Sequence, residues 1–293
     1  CINEIFQTLN GESGLFYLGR LSMDNNKFQL HEGFLVIKAN ERLEISFSAH
    51  HYCSFTSLRG QSRITDGRNV EINLRSRGVG KVFHTLSSIR GNLTISNLCD
   101  VTSIIHIVVS EKLPLVKVEK ADESNRTIIR APHILNDQLS WSVNGISRLP
   151  RDMPYILSSH LEEMSEVSRF SQNARSRICI HSNHENKIQE MFMSFETKTL
   201  IPMMEHLDKN ESLILLNGKF QYDIFDHSGN RLAAINLLGI KEPDFDERSY
   251  FYVSIGNRVL HSPGQIHRKV IAKETTTGPF MPSQTITHTK AIY

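Results

Sequence analysis

Short apolar runs at strand length fill the first half of the chain from Gly33 onward. They are rich in β-branched and aromatic residues, recur about every 8 to 12 residues, and are broken by turn pairs such as Asp66-Gly67. The predicted strands are residues 34–38, 43–48, 53–58, 70–74, 82–86, 93–95 and 104–109. Apolar and polar positions alternate within several of them, so one face packs while the other meets water. This pattern predicts an antiparallel, jelly-roll-like β-sandwich.

The second half repeats the strand pattern after a linker and one helix. Residues 110–152 contain three prolines and a charged stretch, which is typical of a final strand followed by a linker. Leu157, Leu161 and Met164 stand at helical spacing and predict a short helix over residues 157–167. The strands predicted after it are residues 178–181, 188–195, 212–216, 220–225, 232–237, 250–255 and 270–272. We therefore predict an all-β chain with a β-sandwich domain at residues 1–145 and a β-barrel domain at residues 146–293.

Composition and charge narrow the class of protein. A chain of 293 residues is long enough for two domains, and 22% charged with 39% hydrophobic residues is ordinary globular usage. A net charge of +2 disfavours a dedicated nucleic-acid binder, which needs a concentrated basic face. Four scattered cysteines indicate thiols in a reducing compartment. No apolar run is long enough for a bilayer, so we expect no membrane span and a cytoplasmic location.

Two fragments of the second domain carry candidate chemistry. His206, Glu211 and Gly218 follow the spacing His-x4-Glu-x6-Gly, with apolar runs on both sides of the glycine. This reads as loop, strand, tight turn and strand. Downstream, Pro263-Gly264 reads as a turn that delivers His267. Two imidazoles and one carboxylate would form a ligand set that leaves positions open at a metal for substrate or oxygen.

This spacing resembles the first motif of the cupin superfamily, and the Pro-Gly turn with its histidine resembles the second. Residues 153–284 look like the WbuC-type cupin-fold metalloproteins encoded among bacterial surface-polysaccharide genes. The stretches that carry this resemblance are Arg175 to His181, Gln189 to Met191, Asp208 to Ser212 and Gly278 to Phe280. The resemblance implies a cupin barrel, a divalent zinc, iron or manganese ion held by His206, Glu211 and His267, and ligand binding by Arg175, Arg177 and Gln189. The two arginines stand at period two and would bind a phosphate or carboxylate from one side of a strand.

The chain departs from the cupin pattern at Met204, where the family has a histidine. A thioether is a soft ligand that suits copper(I) better than the metals usual in cupins, so the metal would be weakly held or absent. Met204 would then be a ligand-lining residue. Glu205, His181 or His184 could supply the missing donor, and solvated positions are the competing interpretation for all three.

Two functional hypotheses follow. The first is a protein of surface-polysaccharide biosynthesis whose barrel handles a sugar or sugar nucleotide as a metal-dependent isomerase or epimerase, with Glu211 or Tyr222 moving protons. The second is a non-catalytic carbohydrate-binding or scaffolding protein with a degenerate metal site, for which Met204 is the main argument. A homodimer is left open for both.

Overall fold

The chain divides into two compact units, each built on one β-sheet whose described strands pair antiparallel, apart from one parallel strand pair in the second unit. The computed structural model describes residues 13–22, 29–65, 71–76, 87–110, 115–120, 139–148, 156, 158–181, 183–246 and 248–288. The described residues from Leu139 onward, apart from Ile156 and Ser158, belong to the second unit, and the domain boundary after residue 145 stays a prediction. The predicted strand at residues 82–86 and most of the predicted linker lie outside the described residues.

Seven strands form the sheet of the first unit. They are β1 (Gly14–Ser22), β2 (Gln29–Ile37), β3 (Glu41–Thr65), β4 (Glu71–Ser76), β5 (Ser87–Asn97), β6 (Ser103–Ser110) and β7 (Leu115–Lys120). Their order is β1-β2-β6-β3-β4, with β5 and β7 also paired to β3. One face of the sheet encloses a core of buried aliphatic and aromatic side chains, among them Leu35, Ile45, Phe55 and Ile107. The cluster also contains the buried thiol of Cys53, and a buried pair, Glu32 and His106, lies in the same unit with Oε1 and Nε2 3.4 Å apart.

Nine strands and one helix form the second unit. After β8 (Ile146–Arg148) comes the helix α1 (Ser158–Phe170), and the strands that follow are β9 (Arg175–Cys179), β10 (Ile188–Phe195), β11 (Met203–His206), β12 (Glu211–Phe225), β13 (Arg231–Leu238), β14 (Tyr252–Ile255), β15 (Leu260–Thr277) and β16 (Thr285–His288). The main order is β13-β12-β15-β10-β9-β8. β14 pairs with β12, and β11 pairs with β15 and β16. The all-β prediction with one short helix ahead of the barrel is confirmed.

The predicted helix begins and ends close to where the structure places α1. Leu161 and Met164 are buried, as their spacing requires. The indole of Trp141 donates to Glu163 Oε1 (2.6 Å), and the hydroxyl of Ser168 donates to Glu196 Oε1 (2.6 Å). These bonds hold α1 to the second unit on both sides. Among the described residues, no helix has the length and apolar character needed to cross a membrane.

Two pairs of predicted strands are each one continuous strand. The predicted strands at 43–48 and 53–58 are one strand, β3, whose first half pairs with β5 and β7 and whose later part pairs with β6. Likewise Gly218 does not separate two strands but lies inside β12 with φ 89°. The pairing of β12 with β15 shifts register around this glycine, so its positive φ serves a bulge instead of a hairpin. Bulges keep long strands in their sheets while bending them.

The Pro263-Gly264 pair also lies within a strand. Phe220 pairs with Ile266 and Tyr222 pairs with Pro263, so β15 carries one more residue than β12 over this interval. Proline has no N–H to donate, and a bulge is one of the few places where a strand tolerates it. Because side chains alternate faces, one extra residue exchanges the inward and outward positions that follow it. This exchange decides which histidine of β15 faces the barrel interior.

We predict that Gly218→Ala destabilises the second unit strongly. A Cβ at this position would meet the Lys269 carbonyl and lie 2.8 Å from Val270 Cα, and φ lies in the left-handed region. We expect the free energy of unfolding to fall by roughly 2–4 kcal/mol. Urea titration followed by the fluorescence of the single tryptophan, Trp141, measures it. Gly256→Ala is the matched control, since nothing lies within 4 Å of a Cβ there. An equal effect of both substitutions would contradict the bulge assignment.

Candidate functional site

A cavity of about 370 Å³ lies inside the barrel of the second unit. Most of its wall is apolar, with Met191, Met193, Phe195, Leu213 and Val253 contributed by β10, β12 and β14. The ionisable side chains that also line it are Arg175, Arg177, His206, Lys209, Glu211, Tyr222, His261 and Glu274. A mostly apolar pocket with a few convergent polar groups is the usual form of a small-molecule site.

Three side chains converge on one point of this cavity. His206 Nε2 lies 3.2 Å from Glu211 Oε2, and His261 Nε2 lies 3.1 Å from Glu211 Oε1. One ligand atom from each residue lies within 4.8 Å of the others. β11 supplies His206, the start of β12 supplies Glu211, and the start of β15 supplies His261. No comparable group of three occurs elsewhere in the described ranges.

The opposite edges of both imidazoles are anchored. His261 Nδ1 lies 2.8 Å from the Val259 carbonyl oxygen, and since a carbonyl only accepts, Nδ1 carries the proton of this bond. His206 Nδ1 lies 3.0 Å from the hydroxyl oxygen of Thr285 on β16. Both Nε2 atoms are thereby directed at Glu211. A hydrogen bond on the far nitrogen is what orients histidine ligands in metal sites.

Tyr222 completes the surroundings of the carboxylate. Its hydroxyl donates to Glu211 Oε1 (2.9 Å), and its ring stacks on that of His261 with the centroids 5.7 Å apart and the planes 14° apart. Burial raises the pKa of the Tyr222 hydroxyl well above its usual value, and the neighbouring Glu211 adds to the rise. Tyr222 therefore acts as a hydrogen-bond donor that fixes the carboxylate.

The charges of the three converging residues depend on one another. Burial would raise the pKa of Glu211, but His261 and His206 together hold it well below the usual range. Burial lowers the pKa of His206, and Glu211 offsets only part of this. For His261, burial also acts to lower the pKa, but Glu211 outweighs it and raises the pKa. Glu211 thus favours protonation of His261 more than of His206, and a cation that binds to the Nε2 atoms would compete with protons there.

The structure corrects the placement of His267. This side chain is exposed and lies outside the cavity lining, whereas His261, which the sequence reading passed over, is buried beside Glu211. The reason is the bulge at Pro263: His261 and Pro263 face inward before it, and Ile266 and Val270 face inward after it. His267 is an even number of residues from His261 and would share its face on a regular strand, but the bulge at Pro263 turns it to the opposite face. No local pattern in the sequence marks His261 as the inward histidine, because the bulge determines which of the two faces inward.

Most of the other predicted residues line the cavity, but Gln189 does not. Arg175, Arg177, Met204 and Tyr222 all do, and Met204 is the direct cross-strand partner of His261. Gln189 is buried, and its amide donates to the His184 carbonyl oxygen (2.7 Å). Gln189 therefore lies outside the cavity lining, and the hydrogen bond of its amide supports the loop that contains His184.

None of the three alternatives for the missing donor faces the cavity. Glu205 points away from it on β11, with a carboxylate oxygen 3.7 Å from His288 Nε2. The ring of His181 is buried with Nδ1 3.1 Å from the Glu190 carbonyl oxygen, and burial lowers its pKa to about 4. His184 is exposed and lies 3.1 Å from an Arg148 nitrogen.

Glu274 is a cavity residue that the sequence reading missed. It lies on β15, directly across from Met191 on β10 and Leu213 on β12, and all three line the cavity. Burial raises the pKa of Glu274 to about 7, and the negative charge of Glu211 adds to this. The signal was present in the sequence, since Val270, Ala272 and Glu274 alternate on one face of a strand. The two carboxyl groups of the cavity therefore differ: the pKa of Glu274 is near 7, and that of Glu211 is well below its usual range.

We predict that a divalent metal binds through His261 and not through His267. His261→Ala should abolish metal binding by the purified protein, because it removes one of three converging donors. His267→Ala should leave the metal content unchanged, because that ring is exposed outside the cavity. Elemental analysis after matched purification, with circular dichroism to check folding, measures both. Loss of metal in the His267 variant alone would overturn the ligand set.

We predict a pH-dependent gain of stability on Glu274→Gln in protein treated with a chelator. The folded-state pKa of about 7 lies above the value of 4.5 for a free glutamate. The protonated carboxyl therefore favours folding, and this contribution is lost as the pH rises through about 7. Glutamine stays neutral, so the melting temperature should rise by several degrees at pH 8 and hardly change near pH 4.5. The exposed Glu185→Gln is the control, and a shift of equal size at both pH values would contradict the burial of this charge.

Comparisons with known proteins agree with this barrel. Residues 156–237 match the model of a family described as a domain of unknown function (DUF6016). No curated protein matches the chain in sequence.

Several solved structures resemble the whole chain. A salicylate 1,2-dioxygenase from Pseudaminobacter salicylatoxidans is 8% identical with a TM-score of 0.60, covering 97% of this chain and 82% of that one. Procruciferin, an 11S globulin from Brassica napus, is 9% identical with a TM-score of 0.54, covering 96% and 88%. The cupin 2 conserved barrel domain protein from Leptotrichia buccalis is 9% identical with a TM-score of 0.53, covering 92% and 89%. At such identities the likeness is one of fold: the chain has the cupin fold.

Proposed function

We propose that the second unit is a metal-dependent enzyme acting on a small, oxygen-rich molecule of the sugar or sugar-nucleotide class. The observation that carries this proposal is the convergence of two imidazole Nε2 atoms and one carboxylate in the cavity of the second unit. The further assignment to surface-polysaccharide biosynthesis depends on the WbuC-type resemblance. The fold alone does not identify the function, because both a dioxygenase and an 11S globulin are similar in fold to this chain.

The donor set fits a divalent metal. His206, Glu211 and His261 would hold it, and the bonds from each Nδ1 to Thr285 and Val259 already fix both rings with Nε2 inward. Two imidazoles and one carboxylate suit zinc, iron or manganese and leave positions open for a substrate. When bound, the metal would supply a Lewis acid that polarises a carbonyl or hydroxyl oxygen of the substrate.

The remaining cavity residues differ in how well they could move protons. Glu211 is a weak base, because His261 and His206 hold its pKa well below its usual range. The hydroxyl of Tyr222 already donates a hydrogen bond to Glu211. We therefore assign proton movement to Glu274, whose pKa of about 7 lets it accept and return a proton at neutral pH. Tyr222 positions the Glu211 carboxylate. In an isomerisation or epimerisation, Glu274 would take a proton from a carbon next to a carbonyl and return one, with no net change of atoms.

A second candidate function is a non-catalytic carbohydrate-binding or scaffolding role. The observation that favours it is Met204, which stands directly across from His261 on the neighbouring strand and offers a thioether in place of a strong nitrogen donor. The apolar wall made by Met191, Met193 and Phe195 would then serve to bind the ring of a sugar. The cavity is common to both candidates, and they differ in whether metal is held.

Metal stoichiometry together with solvent exchange tests the proposal. The enzyme proposal expects the unmodified protein to retain about one metal ion per chain. It also expects deuterium from heavy water to appear next to a carbonyl in at least one member of a panel of sugar nucleotides that includes 4-keto sugars. Glu274→Gln should lower the exchange rate by roughly 100-fold or more while the metal content stays the same.

Met204→His separates the two candidates. Metal that appears only in this variant would favour the binding role, because the unmodified site would then lack the affinity that catalysis requires. Stoichiometric metal in the unmodified protein, with no exchange in any sugar nucleotide, would overturn the proposed reaction class.

A further inference from the structure

Two arginines project from one strand into the cavity. Arg175 and Arg177 stand two residues apart on β9, so their side chains leave the strand on the same side. Their cross-strand partners on β10 are Phe195 and Met193, which also line the cavity. The guanidinium groups and the apolar wall therefore share one face of the sheet.

These guanidinium groups have no acidic partner within the residues that the structure describes. Neither group forms an ion pair or a side-chain hydrogen bond there, and Arg177 Nε is buried without an acceptor. Two other arginines of the same unit are paired: Arg268 contacts Glu242 and Asp244 at 2.8 Å, and Arg231 lies 3.7 Å from Asp223. Arg175 and Arg177 are half-buried, and a cation that loses part of its hydration without gaining a charged partner is costly, so the contrast points to a group that arrives with a ligand.

The surroundings of the pair are electropositive. Burial lowers the pKa of Arg175, the nearby charge of Arg177 lowers it further, and Glu274 acts in the opposite direction. Lys209 adds a third cation to the lining. Glu274 is the second carboxyl of the lining, so three cations face two carboxyl groups on this part of the wall. Glu211 is already engaged by two imidazoles and a hydroxyl.

We infer that Arg175 and Arg177 together bind an oxyanion, a phosphate or a carboxylate, carried by the molecule that occupies the cavity. This inference deepens the proposed function. It rests on that function for the identity of the reaction, whereas the binding of the anion does not depend on it. Two guanidinium forks can each present paired N–H donors to such a group, which gives both charge and orientation. The substrate class is thereby narrowed to acidic sugars, either sugar phosphates or sugar acids, because a neutral sugar would leave two half-buried cations without charged partners.

The test measures binding to chelator-treated protein, so that no metal can take the oxyanion. The probes are glucose 1-phosphate, glucuronate and glucose, titrated by calorimetry at low and at high salt. We expect one of the two acidic probes to bind at least 10-fold more tightly than glucose, and which one does so tells a phosphate site from a carboxylate site. Equal affinity for all three probes, or none for either acid, would overturn the inference.

Three variants tie the binding to the arginines. Arg177→Gln should weaken the preferred acidic probe by at least 10-fold, and Arg177→Lys, which keeps the charge but not the fork, should weaken it by less. Arg169→Gln, on the exposed face of α1, is the matched control and should have no effect. An Arg177→Gln protein that folds, as judged by its thermal transition, and binds the acid unchanged would refute the assignment.

The outcome for the metal is read separately from the outcome for the anion. Anion binding that depends on Arg177 in a protein that never holds metal would support this inference and reject the proposed enzyme. A metal-loaded protein that exchanges deuterium into neutral sugars, with no effect of Arg177→Gln, would reject this inference and leave the enzyme standing.

Discussion

The bulged pairing of β12 with β15 is the constraint on which the site depends. These two long strands supply Glu211, Tyr222, His261 and Glu274, and the pairing shifts register at several points between Leu215 and Tyr222. The inward positions reverse parity on β12 between Leu215 and Phe220 and on β15 between Pro263 and Ile266, so β15 sends His261 inward at one end and Glu274 inward at the other. Gly218 and Pro263 are the residues that make this possible, one by its positive φ and the other by having no N–H to pair. The same irregularities therefore place the side chains that line the cavity.

Within the cavity, one carboxylate organises the electrostatics. Glu211 accepts from Tyr222 and lies within 3.2 Å of both imidazoles, so its negative charge is fully used where it stands. That charge raises the pKa of His261 and adds to the burial that raises the pKa of Glu274. The pKa values of Glu211 and Glu274 therefore differ although both line one pocket, and this difference is the reason for giving the two carboxyl groups different roles. The arginines of β9 stand outside this network, which leaves them available to a ligand.

The sequence was a good guide to the class of fold and to part of the site. Strand-length apolar runs and the helical spacing of Leu161 and Met164 are local signals, and they predicted an all-β chain with one helix before the barrel. The spacing of His206 and Glu211 placed both in the cavity, because they lie at the adjoining ends of β11 and β12. His267 was a wrong choice for the third residue, since periodicity alone cannot reveal where an extra residue reverses the faces of a strand. Gln189 was misplaced for a related reason: its partner is the backbone of His184, a contact that no sequence pattern encodes.

The most direct test of a metal centre assembled by this pairing is anomalous diffraction from crystals of the metal-loaded protein, collected on both sides of the absorption edge of the metal. We expect one anomalous peak per chain in the barrel of the second unit, bound by His206 Nε2, His261 Nε2 and an oxygen of Glu211. A peak bound by His267, or no peak among these three residues in protein that carries stoichiometric metal, would contradict it.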